Sequence, residues 1–267
     1  MKRSASIGDR ILPTLGLALI LIMWEVLVRI HDLPPWLLPA PSRVISTIIE
    51  IWPMLLFHSA ATLLEAGCGF LLALSLALLM GFFLDNILLL KQALTPILVI
   101  SQTIPLIVLA ALLPLWFGWG MLPKILIVIM VCFFPIAINL LKGLDSVDPD
   151  QLSLFRSMGA DVWETFRIVK FPAALPSFFS GLKISATYSI MAAVISEWVG
   201  AQRGLGYFMT IQQKSFAIDR VLAAVIVICI LSLLLVKLVD VMEYMLVPWN
   251  RKIILDPKLW STPFSGL

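Results

Sequence analysis

Charge is scarce in this sequence. Of its 267 residues only 13% are Asp, Glu, Lys or Arg, whereas 61% are hydrophobic. A soluble domain carries roughly 25% charged residues. So little polar surface cannot face water, and the sequence predicts one integral membrane domain spanning 1–267. Histidine is nearly absent, and His31 and His58 stand far apart. Cys68, Cys132 and Cys229 lie singly in apolar runs without a Cys-x-x-Cys pair, which argues against a disulfide framework or a metal site. There is no His-Glu-x-x-His, no Gly-x-Ser-x-Gly and no Gly-x-x-x-x-Gly-Lys-Ser/Thr. The expectation is a chain with no catalytic residues, no metal and no nucleotide site of its own. A net charge of +3 makes no case for nucleic acid, and no Ala-x-Ala cleavage site follows the first apolar run.

Long apolar runs are what the sequence does have. About twenty apolar residues cross a ~30 Å hydrocarbon core, and six segments qualify: 11–30, 59–84, 94–115, 123–141, 178–199 and 221–245. The fold class expected is therefore all-α, an integral membrane helical bundle with six transmembrane helices. The connector His31 to Trp52 contains Leu38-Pro39-Ala40-Pro41-Ser42, whose prolines favour extended backbone. Six spans place both termini on one side of the membrane. That side collects eleven of the nineteen Lys and Arg, including Lys2, Arg3, Arg10, Arg251, Lys252 and Lys258, against six on the other. The positive-inside rule then makes the termini, and the loop after the fourth span, cytoplasmic.

That loop, Lys142 to Ser177, is the longest polar segment. Asp148-Pro149-Asp150-Gln151 reads as an N-cap, a proline at the first helical position and a capping-box glutamine. The helix it opens should run to Met158 and stop at Gly159, which tolerates a left-handed C-terminal residue. Asp161 with Glu164 repeats the box for a second helix, expected to end near Lys170 ahead of Pro172. Leu152, Phe155 and Met158 share one helical face, and Trp163, Phe166 and Val169 another. Neither helix is long enough to cross a bilayer, so both are expected to dock against something.

Ionisable residues inside spans are expensive, about 2.5–3.5 kcal/mol each at a helix centre. Glu25, Glu65 and Glu197 lie close to span ends, and Lys183 is placed to snorkel to the cytoplasmic face. Gln102, Pro105 and Trp116 in the third span are candidates to line a pathway, with packing as the competing role. The glycines of 200–206 permit a hinge in the loop after the fifth span, read either as a gate or as a turn.

Gly159, followed thirteen positions later by Pro172 with Phe166-Arg167 between, resembles the conserved cytoplasmic loop of ABC importer permeases. The Glu-Ala-Ala triplet of that loop is replaced here by Ser153-Leu154-Phe155. Further along, Leu38-Pro39-Ala40-Pro41-Ser42, Ile104-Pro105, Trp116-Phe117-Gly118-Trp119-Gly120, Cys132-Phe133-Phe134-Pro135-Ile136 and Ser196-Glu197-Trp198-Val199-Gly200 through Gly204-Leu205-Gly206-Tyr207 stand in order. Together they resemble the branch of these permeases that serves nitrate, aliphatic sulfonates, taurine and the pyrimidine precursor of thiamine.

The resemblance implies an ABC type I importer-like bundle with a core over 55–250 and cytoplasmic coupling helices in 142–177. It implies ATPase-coupling roles for Leu152, Phe155, Arg156, Met158, Gly159, Ala160, Trp163, Phe166 and Pro172. Gln102, Pro105, Trp116, Glu197, Gly204 and Gly206 become candidates for a translocation path or gate. It further implies an ABC ATPase partner that carries ATP and Mg, an extracytoplasmic substrate-binding protein, a second copy of the chain, and a multi-pass place in the bacterial inner membrane. The alternative is an ion-coupled secondary transporter, which would need a midplane ion site with paired acidic residues.

Overall fold

The computed structural model describes the backbone of residues 7–250 and the side chains of 15–249, Leu88 excepted. The basic residues Lys2, Arg3, Arg10, Arg251, Lys252 and Lys258, counted above for the terminal side, lie outside the described side chains. Among the described residues there are helices and no strands.

Helix α1 covers Ile7–Ile30 and is stapled to the next element by Glu25, which pairs with Arg29 at 2.6 Å and accepts from the Ser42 N–H and hydroxyl at 3.0 and 2.8 Å. The connector that follows is not extended throughout. It contains α2, Pro41–Glu50, because Pro41 occupies the first helical position, where its fixed φ helps and its missing N–H costs nothing. Val44 and Thr47 bury the inner face of this short helix.

Helix α3 runs from Trp52 to Asn86, starting seven residues ahead of the expected 59. Its 35 residues span about 52 Å, more than the thickness of the hydrocarbon core. The expected third span is broken into α4 (Leu88–Ser101) and α5 (Leu106–Phe117), bent by 101°. Pro105 is the cause: it disfavours helical backbone at the residue before it and cannot donate to the preceding turn.

Helix α6 (Met121–Asp145) and helix α9 (Phe171–Glu197) form the centre of the bundle. Small residues let them approach closely, as in other helix pairs within membranes. A side chain on Gly181 would meet the Pro135 carbonyl at 2.5 Å, and one on Gly143 would meet Ala174 at 2.8 Å. The Ser185 hydroxyl donates to the Cys132 carbonyl at 2.7 Å across the same seam. Helix α3 packs on both, and α11 (Ile218–Leu246) on α9. Lys183, expected to snorkel, has carboxylate partners. It bridges α9 to α11 through Asp240 and Glu243 at 2.7 and 2.6 Å, because two carboxylates within reach satisfy the ammonium better than a stretched side chain.

Four helices among the described residues are long and apolar enough to cross a membrane, one of them the continuous stretch Val162–Glu197, and the bent α4–α5 pair forms either a broken fifth span or a re-entrant loop. The sequence reads six spans; the 24-residue α1 covers the first of them but is not among the helices that meet this measure. Leu233, Leu234 and Leu238 of α11, and Leu89, Ile97 and Ile100 of α4, point outward. Hydrocarbon is the solvent such a surface suits.

Candidate functional site

Chemistry-bearing side chains collect at the two ends of the α3–α6–α9 core. At one end is the loop between α6 and α9. Asp148 caps helix α7 (Pro149–Ser157) by accepting the Asp150 N–H at 2.9 Å, rather than through a box with Gln151. The other end of α7 closes on Gly159, whose φ of +85° is left-handed. The Gly159 N–H donates to the Arg156 carbonyl at 3.0 Å and the Ala160 N–H to Phe155 at 3.1 Å, the paired bonds of a Schellman stop.

A complete capping box opens the next helix, α8 (Val162–Thr165). Asp161 accepts from the Glu164 N–H at 2.6 Å, and Glu164 accepts from the Asp161 N–H at 3.1 Å. The second helix does not end at Lys170 as the sequence suggests. A π turn over Phe166–Lys170, closed by the Phe171 N–H on the Phe166 carbonyl, carries the chain into α9 without a break. The wider turn relieves the clash that Pro172 would make with an ordinary helical carbonyl four residues back.

The structure divides the proposed docking residues into two groups. Trp163 and Phe166 pack one side of their rings on Phe82 of α3, with ring centroids 5.6 and 4.9 Å away, though Trp163 stays more than half exposed. Leu152, Phe155, Ala160 and Pro172 are half-buried. Met158 is 74% exposed and Arg156 is exposed as well. Leu154 and Val162, absent from the sequence-derived set, are 59% and 63% exposed. The exposed apolar surface of the loop therefore includes Leu154, Met158 and Val162, with Trp163 and Ile168 more than half exposed as well. Beneath it a cleft of about 390 Å³ is lined by Asp85, Arg156, Asp161 and Lys170 among others.

The residues proposed for the pathway also separate. At the α4–α5 break, Ser101 and Gln102 line a cleft of about 350 Å³ together with Leu109, Phe134, Tyr188 and Met191. Pro105 starts α5 and shapes that break without lining the cleft. Trp116 lies near the other end of α5, 67% exposed and outside the lining.

At the far end of the core, Glu197 is 1% exposed and accepts from the Thr62 hydroxyl at 2.7 Å and the Gly206 N–H at 2.6 Å. Thr62 accepts from the Leu205 N–H at 2.9 Å, and His58 Nδ1 from the Gly204 N–H at 3.2 Å. Three successive backbone donors at the start of α10 (Leu205–Lys214) are thus received by side chains of α3 and α9. Gly204, at φ +117°, leaves room for the Glu197 carboxyl, and a side chain on Gly206 would strike the Val194 carbonyl at 2.1 Å. Glu65 forms a 2.6 Å ion pair with Lys124, both largely buried. Sequence reasoning named Glu197 as a path or gate candidate but gave no site role to His58, Thr62, Glu65 or Lys124. The signal was present: His58, Thr62 and Glu65 fall at the i, i+4, i+7 spacing of one helix face.

The helical bundle thus carries a capped loop at one end and, at a broken helix, a largely apolar cleft with a few polar groups. Comparison with known proteins makes the class definite. Residues 69–252 match the family model described as "Binding-protein-dependent transport system inner membrane component", and the chain belongs to that family. It is 34% identical over 253 residues to the formylaminopyrimidine transport permease protein ThiX of Halalkalibacterium halodurans, covering 94% of this chain and 100% of the relative. It is 34% identical to the riboflavin transport system permease protein RibX of Chloroflexus aurantiacus, with 89% and 91% covered. Identity to the taurine transport system permease protein TauC of Escherichia coli is 28%, with 89% of each covered. A solved amino acid ABC transporter superposes with a TM-score of 0.59 at 18% identity, covering 74% of this chain and 97% of that one. The chain is therefore the membrane-spanning permease subunit of an ABC importer, a multi-pass inner-membrane protein. The family implies an ATPase and a substrate-binding protein as partners.

Proposed function

We propose that the chain is one permease domain over 1–267, works as a homodimer around a shared pathway, and rests each 142–177 loop on one ATPase subunit in the cytoplasm. Both termini lie on that same side. ATP and Mg belong to the ATPase, and closure of the ATPase pair moves α7 and α8 and so switches the access of the pathway. The observation that carries this reading is the outward set Leu154, Met158 and Val162 on helices held rigid by two N-caps and a left-handed glycine. Apolar side chains so exposed on a polar loop gain from burial in a partner's cleft.

The transported solute we infer is a neutral, ring-shaped nutrient of the aminopyrimidine type. Two features support it over nitrate, sulfonates or taurine. The relative that names such a pyrimidine matches along its whole length. The cleft at the helix break offers aromatic faces from Phe134 and Tyr188 and an amide from Gln102, with no Lys or Arg among the described residues of its lining to attract an anion. The test is to purify the tagged chain with its partners and heat the co-purified binding protein with candidate ligands. Stabilisation by formylaminopyrimidine alone supports the assignment; stabilisation by taurine or nitrate instead overturns it.

A further inference from the structure

Glu197 is the last residue of a single helical run that begins in the loop at Val162. Thirty-six residues make a strut of about 54 Å. Helix α3 runs alongside it and is fastened to it twice. At the loop end Lys170 pairs with Asp85, and Phe82 packs on Trp163 and Phe166. At the far end Thr62 donates to Glu197. Between these fastenings the Gly143 and Gly181 approaches lock α6 against α9. The frame therefore carries the coupling loop at one end and the first turn of α10 at the other.

The grip on α10 is specific. Gly204, Leu205 and Gly206 each surrender a backbone N–H, to His58, Thr62 and Glu197 respectively. The first N–H groups of a helix have no partner within it, so these three side chains supply what the helix start needs. Glu197 contributes the one carboxyl group of the three, and it is buried, where a hydrogen bond is stronger than in water. It also lies within Coulomb range of Lys124 and Glu65, which hold the neighbouring turn of α3 to α6.

We propose that Glu197 is a positioning residue that fastens the outer helix α10 to the α3–α6–α9 frame, so that displacement of the coupling loop moves α10 as part of the same body. The assignment rests on the importer reading, in which α10 lies on the face that meets the substrate-binding protein. Glu197 touches no substrate in this scheme. Its carboxylate turns a movement at the ATPase into a movement at the outer surface, and carries the reverse signal when the loaded binding protein arrives.

The experiment uses the complex of permease, ATPase and binding protein in liposomes. Spin labels go on Gln213 of α10 and Thr187 of α9, both exposed. Cys68 and Cys229 are replaced to leave only the buried Cys132. In the unmodified chain the label distance should be narrow and unchanged by nucleotide; a distance that shifts with nucleotide shows α10 moving independently and overturns the proposal. Glu197→Ala should broaden the distance and abolish stimulation of ATP hydrolysis by the loaded binding protein, with basal hydrolysis retained. Glu197→Gln, which keeps an acceptor for Gly206, should recover part of the stimulation. Full stimulation with a narrow distance in Glu197→Ala also overturns the proposal. Where Glu197→Ala fails to assemble, the distance in the unmodified chain decides alone. Basal ATP hydrolysis by the unmodified complex tests the importer reading separately, and the label distances are read equally well in the permease by itself.

Discussion

The Lys170 ammonium stands 2.8 and 3.0 Å from the two carboxylate oxygens of Asp85, tying the π turn below α9 to the end of α3. Asp85 is almost fully buried and Lys170 largely so. Removing one member of such a pair strands a buried charge, at a cost of about 3–5 kcal/mol, whereas replacing both with apolar residues is often neutral. Asp85→Ala should therefore lower the melting temperature of the detergent-solubilised chain sharply. Asp85→Leu combined with Lys170→Met should restore most of the loss. Equal melting temperatures for Asp85→Ala and the unmodified chain would show that the pair holds nothing.

Gly159 stops α7 with a φ that L-residues adopt at a cost of about 1–2 kcal/mol. Gly159→Ala should weaken uptake while leaving membrane insertion unchanged. Gly159→Pro should abolish uptake, because proline can neither reach that φ nor donate to Arg156. Uptake rates compared at equal membrane abundance check both, and normal uptake by the proline variant rules the loop out as the lever.

Apolar residues of the loop that pack on nothing described and one that packs on α3 should respond in different ways. Met158→Asp and Leu154→Asp alter exposed positions, so the isolated chain should keep its melting temperature and lose co-purification of the ATPase. Trp163→Ala removes a ring packed on Phe82 and should destabilise the isolated chain. Truncating a large aromatic costs about 3–5 kcal/mol when fully buried and less here, since Trp163 is 55% exposed. Retained ATPase binding by both aspartate variants would place the docking surface elsewhere.

Gly181→Ala puts a methyl group against the Pro135 carbonyl and Asn139 in the α6–α9 seam. Overpacking of this kind costs about 1–3 kcal/mol. Thermal melting should show the loss, and an unchanged melting temperature would mean that the seam opens without penalty.

The helical class, the apolar passages and the capped loop were legible because each rests on local chemistry. Hydrocarbon thickness sets run length, and Asp148, Gly159 and the Asp161–Glu164 box state their own geometry in sequence. Ends and bends were harder to read. Pro172 looks like a terminator, and only a π turn upstream explains how the helix passes it. Pro105 looks like a kink within one span, yet the chain turns there by 101°. The α10 clamp was invisible for another reason: Thr62 and Glu197 meet across 135 positions of sequence, and no local pattern brings them together. The same holds for Trp163 and Phe166. Their shared face was correctly read as apolar, but the side it packs against, Phe82, is supplied by another helix.

ATP-driven uptake by the reconstituted complex tests the central claim most directly. Liposomes holding the permease, its ATPase and its loaded binding protein should accumulate solute when ATP is supplied, lose uptake when the ATPase is omitted, and ignore ionophores. Uptake that persists without the ATPase and collapses with the ion gradient would contradict the account and identify an ion-coupled carrier instead.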